Sequence, residues 1–532
     1  MNPDFDVIIV GSGPSGVSAA FPLLNAGLRV LMVDGGAAPT QTFPIEDFIS
    51  WRSNDKYQFK RMVGDDYHAL KTHDSDSPKL RIPSLGYVFD QFKVVNKINS
   101  DGFVAVGSLA TGGLSNAWGC GVAQYSNEEL ESFPFPASDI KKSYEDVVAR
   151  IGISGGCDDD MSSYFGLDQW SQPPIDLDDI HKHFLSRFQK SREHLLGLGF
   201  RLGRTRLAVL SKDFKGRQGC SLTGNCLWGC YRKSMYSASD ELPVLMKFSN
   251  FKYMPGFVVS DLFNKSDDIT GIRGKNISQN CYEEITASKI LLGAGTLAST
   301  RLALKLLGYL ESFNLLSCPT AAFMMWIPRY FGQIRKSTFG SGQLAFNIKT
   351  DKGVSAYGAT FPTTAIPVSE FVTHMPMGVR ASISFLRNIL SSCVIGNLFL
   401  PGRFGGAKGQ LDKLGELNLS YSKDPSIDDS MMGVAKVLRS SYAKLGGFIL
   451  PGSFTVGRPG GDIHYSGTMP MSSVPNVGET NPNGVVIGAK NIHIIDGACL
   501  PLLSEKPHTL TIMANADRIG KVVANELRKR GA

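Results

Sequence analysis

The run from Asp6 to Asp34 constrains this chain most, because a strand, a glycine turn, a helix and a second strand follow one another there in close order. Asp6-Val-Ile-Ile-Val10 is short, apolar and β-branched, the pattern of a strand buried inside a parallel sheet. Gly11-Ser12-Gly13-Pro14-Ser15-Gly16 follows at once. Residues 17–26 have helical composition and stop at Gly27, and residues 28–33 read as a second strand with Asp34 at its end. Gly11 permits the tight turn, Gly13 lets backbone approach a pyrophosphate, and Gly16 lets helix and strand pack closely. The helix start offers unpaired N–H groups to phosphate, and Asp34 can accept hydrogen bonds from a ribose. A lone glycine motif is weak evidence; the ordered set predicts a dinucleotide site that favours FAD or NAD over NADP. No second motif of this kind occurs, which argues against a built-in NAD(P)H domain.

At 532 residues the chain is too long for one simple core and predicts two lobes. Its net charge of +7 is mild at this length, and no Lys/Arg block resembles a nucleic-acid arm. Nine cysteines in so long a chain do not make a disulfide framework, so reduced, buried thiols are expected. The start of the sequence has neither signal-peptide nor transit-peptide character, and no apolar stretch is long enough to span a membrane. A cytoplasmic location is expected. Residues 318–328 and 389–401 are the most apolar segments; they read as core, or as a surface that touches membrane or a partner.

Ala110-Thr-Gly112-Gly113-Leu-Ser115-Asn116-Ala117-Trp118-Gly119 sets small residues beside one Trp, as where backbone presses on a flat ligand. Here the chain resembles the glucose–methanol–choline (GMC) oxidoreductases, and more closely their pyranose-oxidase-like branch. In that branch a His covalently bound to FAD precedes the Trp; Ala117 stands there, so the resemblance implies noncovalent FAD. The segment 287–301, with Gly293 and Gly295, resembles the return of the chain to the FAD domain. Asn491-Ile-His-Ile-Ile-Asp496-Gly497 resembles the strand and loop holding the pyrophosphate and flavin edge. The resemblance also places Ser15, Gly35, Thr509 and Leu510 at the cofactor.

A flavin that oxidises an alcohol needs a base for the hydroxyl proton while hydride moves to N5, and histidine suits that task. Of nine histidines, His68, His73, His181, His183, His194, His374, His464, His493 and His508, two stand in family-like contexts. His464-Tyr-Ser-Gly-Thr resembles the segment of the family's active-site His. His508 opens an expected helix over 511–527, although Pro507 also aligns with that place. His464 is expected as the base and His508 as the partner that hydrogen-bonds the substrate oxygen. His493, inside an apolar strand, reads as structural, and His181-Lys-His183 as solvated helix surface. Cys220, Cys226 and Cys230, spaced C-x5-C-x3-C, invite a zinc or iron–sulfur reading, but both centres usually want four ligands. Packed thiols and no metal are expected.

The expected fold is α/β. A discontinuous Rossmann-like FAD-binding domain (1–125, 200–302 and 453–532) carries an inserted α+β substrate domain (126–199 and 303–452) on a mixed or antiparallel sheet. Residues 340–349 alternate as a strand, and a helix is expected near 430–445. The implied activity is FAD-dependent oxidation of an alcohol, tilted towards a sugar or polyol, with oxygen or another electron acceptor. A lyase or isomerase using FAD without net redox, and a non-catalytic flavin-binding protein, are the alternatives.

Overall fold

The computed structural model describes residues 3–40, 43–65, 67, 69, 77–366, 368–372, 375, 377–421 and 423–531. His68, His73 and His374 lie outside the described residues. The opening motif forms β1 (Phe5–Val10), α1 (Pro14–Asn25) and β2 (Val30–Asp34). Pro14 occupies the first helical position, where its missing N–H costs nothing. β1 pairs in parallel with β2 on one side and with Cys281–Leu292 on the other. The sheet runs in the order 485–486, 489–494, 281–292, β1, β2, 251–255, and is parallel from 489–494 onwards. Strands Phe257–Asn264 and Thr270–Asn276 return antiparallel along the first half of 281–292. This is a Rossmann-like sheet, and it brings the head, middle and tail of the chain side by side.

The C-terminal helix, Thr509–Gly531, packs on α1. A Cβ on Gly520 would stand 2.7 Å from the carbonyl oxygen of Ala19, so glycine is what permits this approach. The helix begins two residues before the expected Thr511, because the carbonyl of His508 already accepts from the N–H of Ile512 at 3.0 Å.

A second sheet of seven strands is wholly antiparallel, in the order 448–449, 320–326, 393–399, 355–362, 344–349, 200–204, with 455–456 also paired to 320–326. The apolar segments near 318–328 and 389–401 are therefore neighbouring inner strands, and their hydrophobicity is spent on the core. Helices Asp179–Lys190 and Ser426–Leu445 back this sheet, with Phe184, Phe188, Phe200, Phe346 and Tyr442 meeting ring against ring. A third sheet orders 465–466, 313–317, 406–411, 417–421 and 98–101.

Two placements differ from expectation. Phe200–Arg204, assigned by sequence to the FAD-binding segments, pairs with Leu344–Lys349 in the second sheet. Ile98–Asp101 and Tyr465–Ser466 belong to the third sheet and tie the FAD-binding segments to the insertion. The reading of His181 as solvated is corrected too. It is fully buried, because Asp178 caps its helix and accepts both its backbone N–H and its Nδ1–H, the latter at 2.7 Å. No helix among the described residues is long and apolar enough to cross a membrane.

Candidate active site

The nucleotide end is a cradle of glycines. A Cβ on Gly11 would stand 2.3 Å from the carbonyl oxygen of Gly293, and one on Gly16 only 1.9 Å from that of Gly11. Gly13, by contrast, has nothing within 4 Å of that position, and Gly113, at φ +60°, faces it across the opening. Open space over Gly13 at the start of α1 fits a pyrophosphate. Asp34 closes β2, takes hydrogen bonds from Ser12, Tyr253 (2.8 Å) and the Gly36 N–H (2.8 Å), and is pushed above the usual carboxylate range by burial. Ribose hydroxyls would join or replace these donors. Ser15 lies against Gly293, and Gly35 against the backbone of Leu109, which leads into the next loop.

That loop, residues 111–119, docks on the first: the Gly112 N–H donates to Ser12 Oγ at 2.9 Å. Several of its expected cofactor residues spend their polar groups on holding its shape. Ser115 Oγ donates to the Gly112 carbonyl, Asn116 Nδ2 donates to the Thr111 and Gly113 carbonyls, and Trp118 Nε1 donates to that of Tyr236. What remains for a flavin is backbone, the methyl of Ala117 and ring faces. At the other end of the cradle, Asp496 accepts from the Gly295 N–H, Ser299 Oγ and the Ala498 N–H, and burial raises it to about 6. Asp496 thus braces the turns at Gly295 and Gly497. Leu510 is buried in the first turn of the C-terminal helix, beside Thr509.

The two expected histidines meet. The rings of His464 and His508 lie 5.2 Å apart, centroid to centroid, at 74°. His464 stands one residue before Tyr465–Ser466 and His508 immediately before the C-terminal helix, so the third sheet and that helix converge to form the pair. Phe399 sets its ring edge-to-face on His464 at 4.7 Å, and Tyr357 stacks behind Phe399, with Tyr164 behind Tyr357. His508 is pulled down to about 3 by burial and then by the neighbouring His464, so it is neutral near pH 7. Its Nδ1 is buried without a protein partner.

Asp462 is the member that sequence reasoning missed. Its Oδ2 accepts from Nδ1 of His464 at 2.8 Å, while its buried Oδ1 has no partner. Ile463 between them is held at φ +68°, a left-handed conformation that β-branched residues avoid. An Asp two residues before the candidate base was visible in the sequence as Asp-x-His, but only the unusual turn at Ile463 brings the two side chains together.

Away from this pair, Cys220, Cys226 and Cys230 line one narrow cavity with Phe339. Among the described residues no group of three or more His, Cys, Asp or Glu is arranged to hold a metal ion. Lys79 lies against Gly119, near Cys120 and Cys226, and desolvation lowers it to about 8. His493 is fully buried and donates from Nδ1 to the Asn483 carbonyl at 3.0 Å.

The comparisons with known proteins bear on the fold and on two segments of the sequence. Residues 418–516 match the family model described as GMC oxidoreductase, and residues 4–44 match the FAD binding domain. Among solved structures, pyridoxine 4-oxidase from Mesorbium loti superposes with a TM-score of 0.62 at 12% identity, covering 99% of each chain. A formate oxidase variant of Aspergillus oryzae RIB40, concerned with FAD modification, gives a TM-score of 0.62 at 13% identity, covering 99% of this chain and 100% of that one. A further formate oxidase structure gives 0.60 at 13% identity, with 99% of each chain covered. No curated protein sequence matches significantly. Residues 418–516 are thus similar to the GMC oxidoreductases, and the chain shares the fold of these oxidase structures from end to end.

Proposed function

We propose that this protein oxidises the CH–OH group of a sugar or polyol-like alcohol, with His464 as the base and FAD held without a covalent bond. The carrying observation is the His464–His508 pair at 5.2 Å, with Asp462 behind His464. Bound FAD supplies the acceptor for the hydride, at N5 of its ring. The residues do the rest. With Nδ1–H donated to Asp462, His464 presents a bare Nε2, the atom that takes the hydroxyl proton as the carbon loses hydride. His508, kept neutral by burial, donates a hydrogen bond to the substrate oxygen without competing for that proton.

The row Tyr164, Tyr357, Phe399 beside His464 supports a carbohydrate-like substrate, whose C–H face packs on aromatic rings. Neighbours named as oxidases support oxygen as one acceptor. Ala117 in the flavin-facing loop supports noncovalent FAD, since a methyl group cannot form the bond to the ring.

The test is anaerobic mixing of the yellow protein with a panel of sugars and alcohols while flavin absorbance is followed. Bleaching by at least one of them, lost in His464→Ala with FAD content unchanged, is the expected result. Equal bleaching in the variant would remove His464 from the mechanism, and no bleaching by any alcohol would remove the activity.

A further inference from the structure

The positive charge of this chain is concentrated. Residues 312–411 contain nine Lys and Arg against two acids, Asp351 and Glu370, so this stretch alone has the +7 of the whole chain. It also holds apolar side chains that face outward: Ile334 is 98% exposed, Val379 65% and Phe385 43%.

Lys349 and Lys408 stand on strands of the second and third sheets and Arg335 pairs with Asp178, but Arg380 and Arg387 share one helix with Val379 and Phe385. The helix Val379–Ile389 turns Ser382, Leu386 and Ile389 inward and leaves Val379, Arg380, Phe385 and Arg387 out, with no acidic residue along its length. Its end is stitched to the turn that carries Phe331 and Ile334. The Ile327 N–H donates to the Ser392 carbonyl at 2.8 Å, and Arg335 donates to that of Cys393 at 3.2 Å. On the other flank lies the helix Phe48–Asn54, tied in by Ser337 Oγ donating to Asp47 at 2.6 Å. Arg52 of that helix is lowered by burial and then by the like charge of Arg387. Neither Arg380 nor Arg387 makes an ion pair among the described residues.

We propose that this face docks on the surface of an anionic lipid bilayer. Outward apolar side chains interleaved with arginines, on a helix free of acids, suit the boundary between headgroups and acyl chains, where long Arg stems reach up to phosphate. A protein partner would need a matching pocket for a side chain as prominent as Ile334; a bilayer admits it anywhere. The strand Cys393–Phe399 starts at this face and ends at Phe399 beside His464. Seven residues of strand span about 20 Å, so a docked molecule holds its candidate site close to the lipid surface.

Flotation of the full-length flavoprotein with phosphatidylcholine vesicles, with and without phosphatidylglycerol, tests this. Binding is expected only with phosphatidylglycerol, and added salt should release it. Arg380→Gln with Arg387→Gln should weaken binding about 30-fold, at roughly fivefold per cation. Phe385→Ser should weaken it as well while leaving the salt dependence in place, and an unchanged flavin spectrum shows that each variant is folded. Absence of binding to anionic vesicles, or binding untouched by the arginine pair, overturns the proposal. So does self-association that Phe385→Ser abolishes without any vesicle binding, since the face then belongs to a second copy of the chain.

Discussion

Asp462 and His464 are bound to each other at 2.8 Å across a single residue, Ile463, whose backbone is held at φ +68°. The carboxylate orients the imidazole and selects the tautomer with Nδ1 protonated, which leaves Nε2 free. Asp462→Asn keeps the size but loses the charge, and an amide can equally donate to Nδ1 and so favour the wrong tautomer. Flavin reduction by substrate should slow roughly 10- to 100-fold, the cost of losing a partner that orients a functional histidine. Stopped-flow bleaching at matched FAD content measures it; an unchanged rate would show that His464 is oriented by other contacts.

The turn at Ile463 predicts an unusual stability response. Left-handed backbone at a β-branched residue costs about 1–3 kcal/mol, which Ile463→Gly relieves. The same change loses the burial of a partly buried Ile, about 1–2 kcal/mol, and adds unfolded-state entropy. These effects nearly cancel, so denaturant unfolding should shift by under about 1 kcal/mol. Ile494→Ala, at a fully buried strand position, should cost about 2–5 kcal/mol. A loss at position 463 as large as that at 494 would mean that the turn holds no strain.

These two cases mark what the amino-acid order disclosed and what it hid. The first thirty residues could be read because each of their signals is local: strand run, glycine spacing, helix stop and terminal acid. Both histidines could be read from short segments with family-like neighbours. Asp462 could not, because its importance rests on a backbone angle at the next residue. The same holds for Phe200–Arg204, whose partner strand is more than a hundred residues away. His181 looked solvated in a polar run, and only the cap at Asp178 and the packing of the second sheet explain its burial.

Gly13 offers a test of the cofactor cradle that leaves folding alone. A Cβ there meets nothing within 4 Å, and φ is −67°, which alanine adopts freely. Gly13→Ala should therefore fold with nearly unchanged stability yet lose FAD, because the methyl occupies space meant for the pyrophosphate. Gly16→Ala should instead impair folding, since its methyl would collide with the Gly11 carbonyl. Absorbance of the purified variants at equal protein concentration separates the two. Full FAD content in Gly13→Ala would place the phosphates elsewhere.

Acid should unfold this protein through its buried histidines. His508 is lowered to about 3 and His493 to about 4, chiefly by desolvation, from an ordinary value of 6.5. A lowered folded value means that the unfolded chain binds the proton more readily. Each histidine thus adds stability that is complete above pH 6.5 and is lost as pH falls towards its folded value. Asp496, raised to about 6 by burial, has the opposite sign: it favours the folded state at low pH and offsets part of the loss below pH 6. Melting temperature should therefore begin to fall just below pH 6.5 and fall less steeply once Asp496 takes up its proton. His493→Gln keeps a donor for the Asn483 carbonyl but cannot be protonated. It should remove one proton from the linkage, about 1.4 kcal/mol per pH unit between pH 4 and 6.5. Denaturant unfolding of both proteins across that range gives the two slopes, and parallel slopes would show that His493 is not what acid attacks.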